Sequence, residues 1–161
     1  MMKRIKENNY KYKHPLGTII VDCVEVGISK KGRRSLHASE MDRLNRLAVF
    51  DFLKKHYRKS IMDSDFKLSS KVVRAVMAFL KVNQVEFGYL VGCQKSKVSK
   101  VLRSEQAMSK SQSLLVLERL MLELERPGST RKLLGDEEID VKVADKNLMD
   151  QIDKMRFSSA A

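Results

Sequence analysis

The sequence has no tryptophan, two prolines and two cysteines among its 161 residues. Cys23 and Cys93 lie far apart and form no CxxC pair, so a disulfide framework is not expected. No run of about 18 apolar residues is present, and the sequence therefore predicts no membrane-spanning helix. Residues 1–13 are basic and polar rather than apolar, so we expect no secretory signal and a cytoplasmic location.

Motifs of metal binding and catalysis are missing as well. The three histidines, His14, His37 and His56, are dispersed, and none has an HxE, HExxH or CxxC neighbour. The glycines form neither a Walker pattern nor a dinucleotide-binding pattern. We therefore expect no metal ion, no cofactor and no enzymatic activity.

Acidic side chains are scarce in the first two thirds of the chain. The 32 lysines and arginines outnumber the 20 aspartates and glutamates, which gives a net charge of +12. The whole positive excess lies before residue 104. Such an asymmetry favours a polyanionic partner, with nucleic acid ahead of a membrane surface, although many basic proteins only carry solvated lysine-rich faces.

The first region, residues 1–60, combines two kinds of pattern. Tyr10–Ile28 is rich in β-branched residues around Pro15 and Gly17, which predicts a hairpin or small sheet. Apolar residues then recur at three- and four-residue steps from Ser39 to His56, which predicts a helix. We therefore expect a small α+β unit that serves dimerisation or partner binding.

The second region, residues 61–126, contains only helical patterns. Ser69 is a candidate N-cap for a helix to about residue 81, and Asn83 starts the next helix with a capping box. A leucine-rich helix, Ser111–Glu125, follows. Residues 127–161 are charged and are expected to form a mobile tail. The predicted fold class is α+β, with a small hairpin or sheet plus helix before an all-α domain.

The stretch from Gln84 to Leu102 has the spacing of a helix-turn-helix. Its fifth place holds Gly88, where the second helix must cross at close range, and its ninth holds Gly92, where the turn needs a positive φ. Five further places must be apolar, and they hold Phe87, Val91, Cys93, Val98 and Val101. Chance gives these five matches with a probability of roughly 1 in 70 before the glycines are counted. A generic helical hairpin is the alternative.

The second helix of this pattern, residues 94–103, contains no acidic residue. A helix in the major groove needs hydrogen-bonding side chains at base edges and cations beside phosphates. We assign base contacts to five side chains: Gln94, Lys95, Ser96, Ser99 and Lys100. We assign phosphate contacts to three others: Gln84, Lys97 and Arg103.

Over Leu68–Leu124 the sequence resembles the XRE family of lambda repressor/Cro-like helix-turn-helix proteins. The similarity is strongest to MqsA/YgiT-type antitoxins and related regulators, whose domain opens with an LT-x-x-E-h-R-x-L helix. Here that helix reads LSSKVVRAV, with Arg74 at the arginine place. The same subset carries an N-terminal Y-x-Y…G-L-x-x-V segment, which is similar to Tyr10, Tyr12, Gly17 and the valines after them.

The resemblance implies a dimeric repressor that binds a palindromic operator in double-stranded DNA, and a lambda repressor-like fold for the helical domain. In some members it also implies a toxin-like partner protein held by the N-terminal half. Two features differ: the zinc-binding CxxC pairs are missing, and Val101–Ser104 stands where the family has W-E-x-G. Two further functions stay open, an antitoxin-like interaction module that uses the N-terminal half or the tail, and an architectural or RNA-binding factor.

A homodimer is also expected on physical grounds, because one helix-turn-helix contacts only a few base pairs. The leucine-rich helix offers a stripe for the interface: Leu114, Leu117, Met121 and Leu124. Leu115, Leu120 and Leu122 would then cover the domain's own core. The alternative is that all of these side chains belong to the intramolecular core.

Overall fold

A computed structural model describes residues 2–157 and shows the α+β fold class that the sequence predicts. The chain divides into two compact units, Met1–Phe52 and Leu53–Ala161. The first unit therefore ends before residue 60, where the boundary is predicted. The second unit takes in the region after residue 126, which is predicted to be a separate tail.

The first unit contains the strands. They are β1 (Lys3–Glu7), β2 (Tyr10–His14), β3 (Gly17–Val21), β4 (Val24–Ile28) and β5 (Arg34–Ser35). The strands form two antiparallel sheets, one ordered β1-β4-β5 and one that pairs β2 with β3. The predicted hairpin chemistry of Tyr10–Ile28 is thus confirmed, and a strand before residue 10 adds to it.

The core of the first unit is small. Val24 and Val26 of β4 are buried together with Leu44 of helix α1 (Ala38–Met62). Tyr10 and Tyr12 of β2 pack against this cluster, and Tyr12 donates a hydrogen bond to Asn45 of the same helix. The helix predicted up to His56 is confirmed, and it continues to Met62.

Within the described part of the second unit, residues 53–157, there are six further helices. They are α2 (Ser70–Leu80), α3 (Gln84–Val91), α4 (Lys95–Leu102), α5 (Lys110–Glu125), α6 (Ser129–Leu133) and α7 (Lys146–Phe157). The predicted caps are confirmed: the Ser69 side chain accepts a bond from Val72 N–H, and Asn83 and Glu86 form a reciprocal capping box. Such caps satisfy backbone groups that a helix end otherwise leaves unpaired.

The leucine-rich helix α5 lies in the centre of the second unit, in contact with α2, α3, α6 and α7. Leu117, Met121 and Leu124 are each 0% exposed, and Leu114 is half-buried. The prediction that this stripe forms the dimer interface is therefore wrong, because these side chains already fill the unit's own core. The leucines of α5 that face solvent are Leu115, 48% exposed, and Leu122, 38% exposed.

The region predicted to be a mobile tail, described up to residue 157, packs against α5. Ile152 of α7 is 0% exposed, and Arg156 forms ion pairs with Glu118 at 3.6 Å and Glu125 at 3.1 Å. At the start of α6, the Glu123 carboxylate accepts a bond from Thr130 N–H at 2.9 Å. The charged composition of the region after residue 126 predicts a mobile tail. The structure differs because Ile152 and Arg156 of α7 are held by contacts with α5, which composition does not reveal.

Candidate nucleic-acid interface

The turn between α3 and α4 depends on two glycines. A Cβ at Gly88 would lie 2.5 Å from the carbonyl oxygen of Cys93, a distance that real Cβ atoms do not tolerate. Gly92 has φ +72°, in the left-handed region that glycine adopts without a Cβ clash. Both glycine positions of the predicted motif are thus confirmed, and the close approach at Gly88 is to the backbone of the turn as well as to Val98.

The apolar positions of the motif bury the faces between the helices. Phe87, Val91, Val98 and Val101 are buried, and Cys93 is half-buried. Burial raises the pKa of the Cys93 thiol, so the side chain stays neutral at neutral pH and behaves as a small apolar group. Val98, Val101 and Leu102 face inward, and the exposed side chains of α4 are those of Lys95, Ser96 and Lys100.

Two arginines outside the motif hold its ends. Arg74 of α2 donates a hydrogen bond from Nη2 to the carbonyl of Leu102, the last residue of α4, at 2.9 Å. Arg131 of α6 donates to the Glu86 carboxylate at 2.7 Å and to the carbonyl of Lys81 at 3.2 Å. The motif is therefore attached to its neighbours at the end of α4 and at the α2–α3 turn.

Sequence reasoning assigned neither arginine to the site. Arg74 stands out only through the family resemblance, and nothing local marks Arg131. The bond from the backbone N–H of Asn83 and then the bond from Arg131 lower the pKa of the Glu86 carboxyl. Glu86 is therefore ionised at neutral pH, and its negative charge is matched by Arg131.

Four of the predicted base-contacting side chains lie on the exposed surface of α4: Gln94, Lys95, Ser96 and Lys100. Gln94 is the N-cap residue, but its side chain makes no capping bond, so the amide is available to a ligand. Lys97 is half-buried and forms no salt bridge within residues 2–157. The structure thus brings these five side chains together on one short helix.

The other predicted contacts form an internal chain of hydrogen bonds. The Ser99 hydroxyl donates to Gln84 Oε1 at 3.2 Å and accepts a bond from Arg103 Nη1 at 3.3 Å. Ser99 is half-buried between these two partners, whereas the sequence predicts it to be a base contact. In this structure its hydroxyl orients Gln84 and Arg103, the two side chains predicted to contact phosphate on either side of it.

Arg103 has an intramolecular partner that the sequence analysis missed. Its Nε and Nη2 both donate to the Glu105 carboxylate, each at 3.0 Å. This pairing lowers the pKa of the Glu105 carboxyl and raises that of Arg103, so both groups are charged at neutral pH. The only sequence signal is an Arg-x-Glu spacing, and the contact itself depends on the turn at Ser104, where φ is +59°.

Other kinds of site find no support in the part of the chain that the structure describes. Within residues 2–157, no group of three or more histidine, cysteine, aspartate or glutamate side chains is arranged to hold a metal ion. Over the same residues, no helix combines the length and the apolar character needed to cross a bilayer. Neither a protein-family model nor a curated protein nor a solved structure matches the chain.

Replacing Gly88 with alanine should destabilise the second unit by roughly 1–3 kcal/mol, as is usual when an atom is forced into a packed site. Elsewhere in a helix the same change stabilises, by about 0.5–1 kcal/mol. Urea unfolding of the full chain measures the difference. The matched control is Val85→Ala in the same helix, whose side chain is exposed and should matter little. A Gly88→Ala protein as stable as the control would contradict the close packing of the turn.

Replacing Glu105 with glutamine should tighten DNA binding. The Glu105 carboxylate accepts two hydrogen bonds from the guanidinium of Arg103 and would compete with phosphate for that group. A neutral amide competes less. Fluorescence anisotropy with a mixed-sequence DNA duplex measures the affinity. Glu137→Gln, on an exposed residue after α6, removes the same charge far along the chain and serves as the control. Equal affinities for the Glu105→Gln protein and the control would show that Arg103 does not contact phosphate.

Proposed function

We propose that the protein is a sequence-specific DNA-binding transcriptional regulator, acting as a repressor, with α4 inserted in the major groove. The observation that carries this proposal is the exposed surface of α4, which is basic and polar, contains no acidic residue and belongs to a helix packed against α3. The proposal includes homodimeric binding to a palindromic operator and a cytoplasmic location. It assigns no catalytic step and no cofactor.

The dimensions of α4 suit this role. An α-helix with its side chains is about 10–12 Å across, and the major groove of B-DNA is about 12 Å wide, so a helix such as α4 fits into it. The first turn carries Lys95 and Ser96 beside the unengaged amide of Gln94, and recognition helices contact base edges with their N-terminal residues. Lys100 lies one turn further along the exposed face.

The distribution of charge around α4 favours binding of a polyanion over a basic surface that only contacts water. Between Leu68 and Arg103 the chain has seven lysines and arginines and one acidic residue, Glu86. That carboxylate is occupied by Arg131 and by the backbone of Asn83. The carboxylate of Glu86 is therefore already paired and does not oppose phosphate binding, and Lys97 would contact the phosphates directly.

The homodimer requires an interface outside the buried stripe of α5. It stays in the proposal because a single eight-residue recognition helix reads too few base pairs for a specific site. The affinity of a dimer for a two-fold symmetric operator gains from both halves. Analytical ultracentrifugation with and without operator DNA measures the stoichiometry.

A second candidate function is protein binding through the first unit. This unit has its own core of Val24, Val26 and Leu44, and DNA binding by α4 does not use it. An antitoxin-like protein would hold its partner there and use DNA binding for autoregulation. The full chain, immobilised and exposed to a lysate of its native host, should then retain one stoichiometric protein in the presence of excess DNA. A DNA-binding regulator alone should retain none.

Salt and substitutions should separate base contacts from phosphate contacts. Affinity for the operator should fall about 10³-fold between 50 and 200 mM salt if about six phosphates are contacted. Gln94→Ala and Lys95→Ala should each relax the preference for the operator over mixed-sequence DNA. Lys97→Ala should weaken both DNAs equally.

The control for these substitutions is Lys154→Ala, on the exposed surface of α7. It should change neither the affinity nor the preference. If Gln94→Ala, Lys95→Ala and Lys97→Ala all reduce binding equally on every DNA, α4 does not read bases. If none of them differs from the control, α4 does not bind DNA.

A further inference from the structure

The β2–β3 hairpin has an inner face and an outer face. Tyr10 and Tyr12 of β2 point to the core of the first unit, where they pack against the cluster of Val24, Val26 and Leu44. Because side chains alternate along a strand, Lys11 and Lys13 lie on the opposite side, and both are exposed.

The partner strand completes the outer face. In the antiparallel register Lys11 lies opposite Ile20, and Lys13 lies opposite Thr18. All four side chains are exposed, and Ile20 is 70% exposed. We call this surface the outer hairpin face, and it consists of Lys11, Lys13, Thr18 and Ile20. It therefore combines two positive charges with one exposed apolar side chain.

The charges of this face are not neutralised by the protein. No acidic residue occurs between Asn8 and Val21. Elsewhere in the same unit four arginines form ion pairs: Arg4 with Glu25, Arg34 with Glu7, Arg43 with Glu40 and Arg46 with Asp42. Within residues 2–157, by contrast, no salt bridge involves either lysine of the hairpin.

Lysines on a two-stranded ribbon also protect its edges from pairing with other strands. A single exposed isoleucine is ordinary on a protein surface, so the case for a ligand depends on the two lysines, unpaired among the described residues, that share this face with Ile20. A DNA duplex suits both features. A two-stranded β-ribbon fits the major groove, and two lysines about 7 Å apart on one strand can reach separate phosphates.

We propose that the outer hairpin face is a second DNA-binding surface, in which Lys11 and Lys13 contact phosphates and Ile20, opposite Lys11, lies against the duplex. This inference rests on the proposed function, which supplies the ligand. It extends the footprint of the protein beyond α4 and gives the basic first unit a part in DNA binding. The contacts to phosphate carry no sequence preference of their own.

The test measures how the affinity of the full chain for a mixed-sequence DNA duplex varies with salt. Each phosphate contact contributes about 0.9 to the slope of log affinity against log salt. The double variant Lys11→Gln/Lys13→Gln should therefore lower the slope by about 1.8 and the affinity at 50 mM salt by on the order of 10²-fold. Ile20→Thr should weaken binding without changing the slope.

Two further variants separate charge from folding. Lys11→Arg/Lys13→Arg keeps both positive charges and should keep the wild-type slope. Lys146→Gln/Lys154→Gln removes the same charge from exposed positions of α7 and should change the slope little. A slope for Lys11→Gln/Lys13→Gln equal to that of the α7 control overturns the inference, and so does an equal loss in the arginine variant.

The outcomes for α4 and for the hairpin are distinguishable. If the wild-type protein binds no duplex with salt-dependent affinity, the proposed function fails. If Lys97→Ala weakens binding while the hairpin variants match the α7 control, the proposed function stands and this inference alone is overturned. Loss of slope in both sets of variants supports a DNA contact made by two surfaces.

Discussion

The close approach of Gly88 to the carbonyl of Cys93 determines how α4 lies against α3. Any side chain at residue 88 would push the turn away, and Val98 would then lose its place between the helices. Backbone atoms and small apolar side chains make the contact between α3 and α4, so the exposed side chains of α4 are not needed to hold the two helices together. Gln94, Lys95, Ser96 and Lys100 are therefore available to a ligand, at the start and on the exposed face of a helix that packs against α3.

The two acidic residues nearest the motif, Glu86 and Glu105, have different roles. Glu86 caps α3 and binds Arg131, which attaches the α2–α3 turn to α6. Glu105 lies beyond the end of α4 and binds Arg103. The Glu86–Arg131 pair stabilises the attachment of α3 to α6. The Glu105–Arg103 pair is exposed to solvent, so a phosphate group can compete with Glu105 for the arginine. This arrangement supports the proposed role of α4 as a DNA-binding helix.

Local signals were sufficient to predict the fold class, the capped helices and the turn. Ser69, Asn83, Gly88 and Gly92 each act within a few residues, so their consequences are visible in the sequence itself. The leucine stripe of α5 is different, because a leucine in a periodic pattern faces either its own core or a partner. Only the positions of the surrounding helices show that Leu117 faces the core.

The region after residue 126 and the hydrogen bonds of the candidate site were beyond prediction for the same reason. Ile152 and Arg156 are ordered by α5, far away along the chain, and charged composition alone suggested a tail. Ser99 was predicted to contact bases, but its place between Gln84 and Arg103 depends on how α4 crosses α3. The DNA-binding function and the family resemblance stay predictions.

The central claim is that the exposed face of α4 meets the DNA duplex, and amide chemical shifts measured during a titration with duplex DNA test it most directly. We expect the largest shift changes at Gln94–Arg103, with little change at the buried residues of α5. If the duplex binds and the shifts of α4 stay unchanged, the account is contradicted.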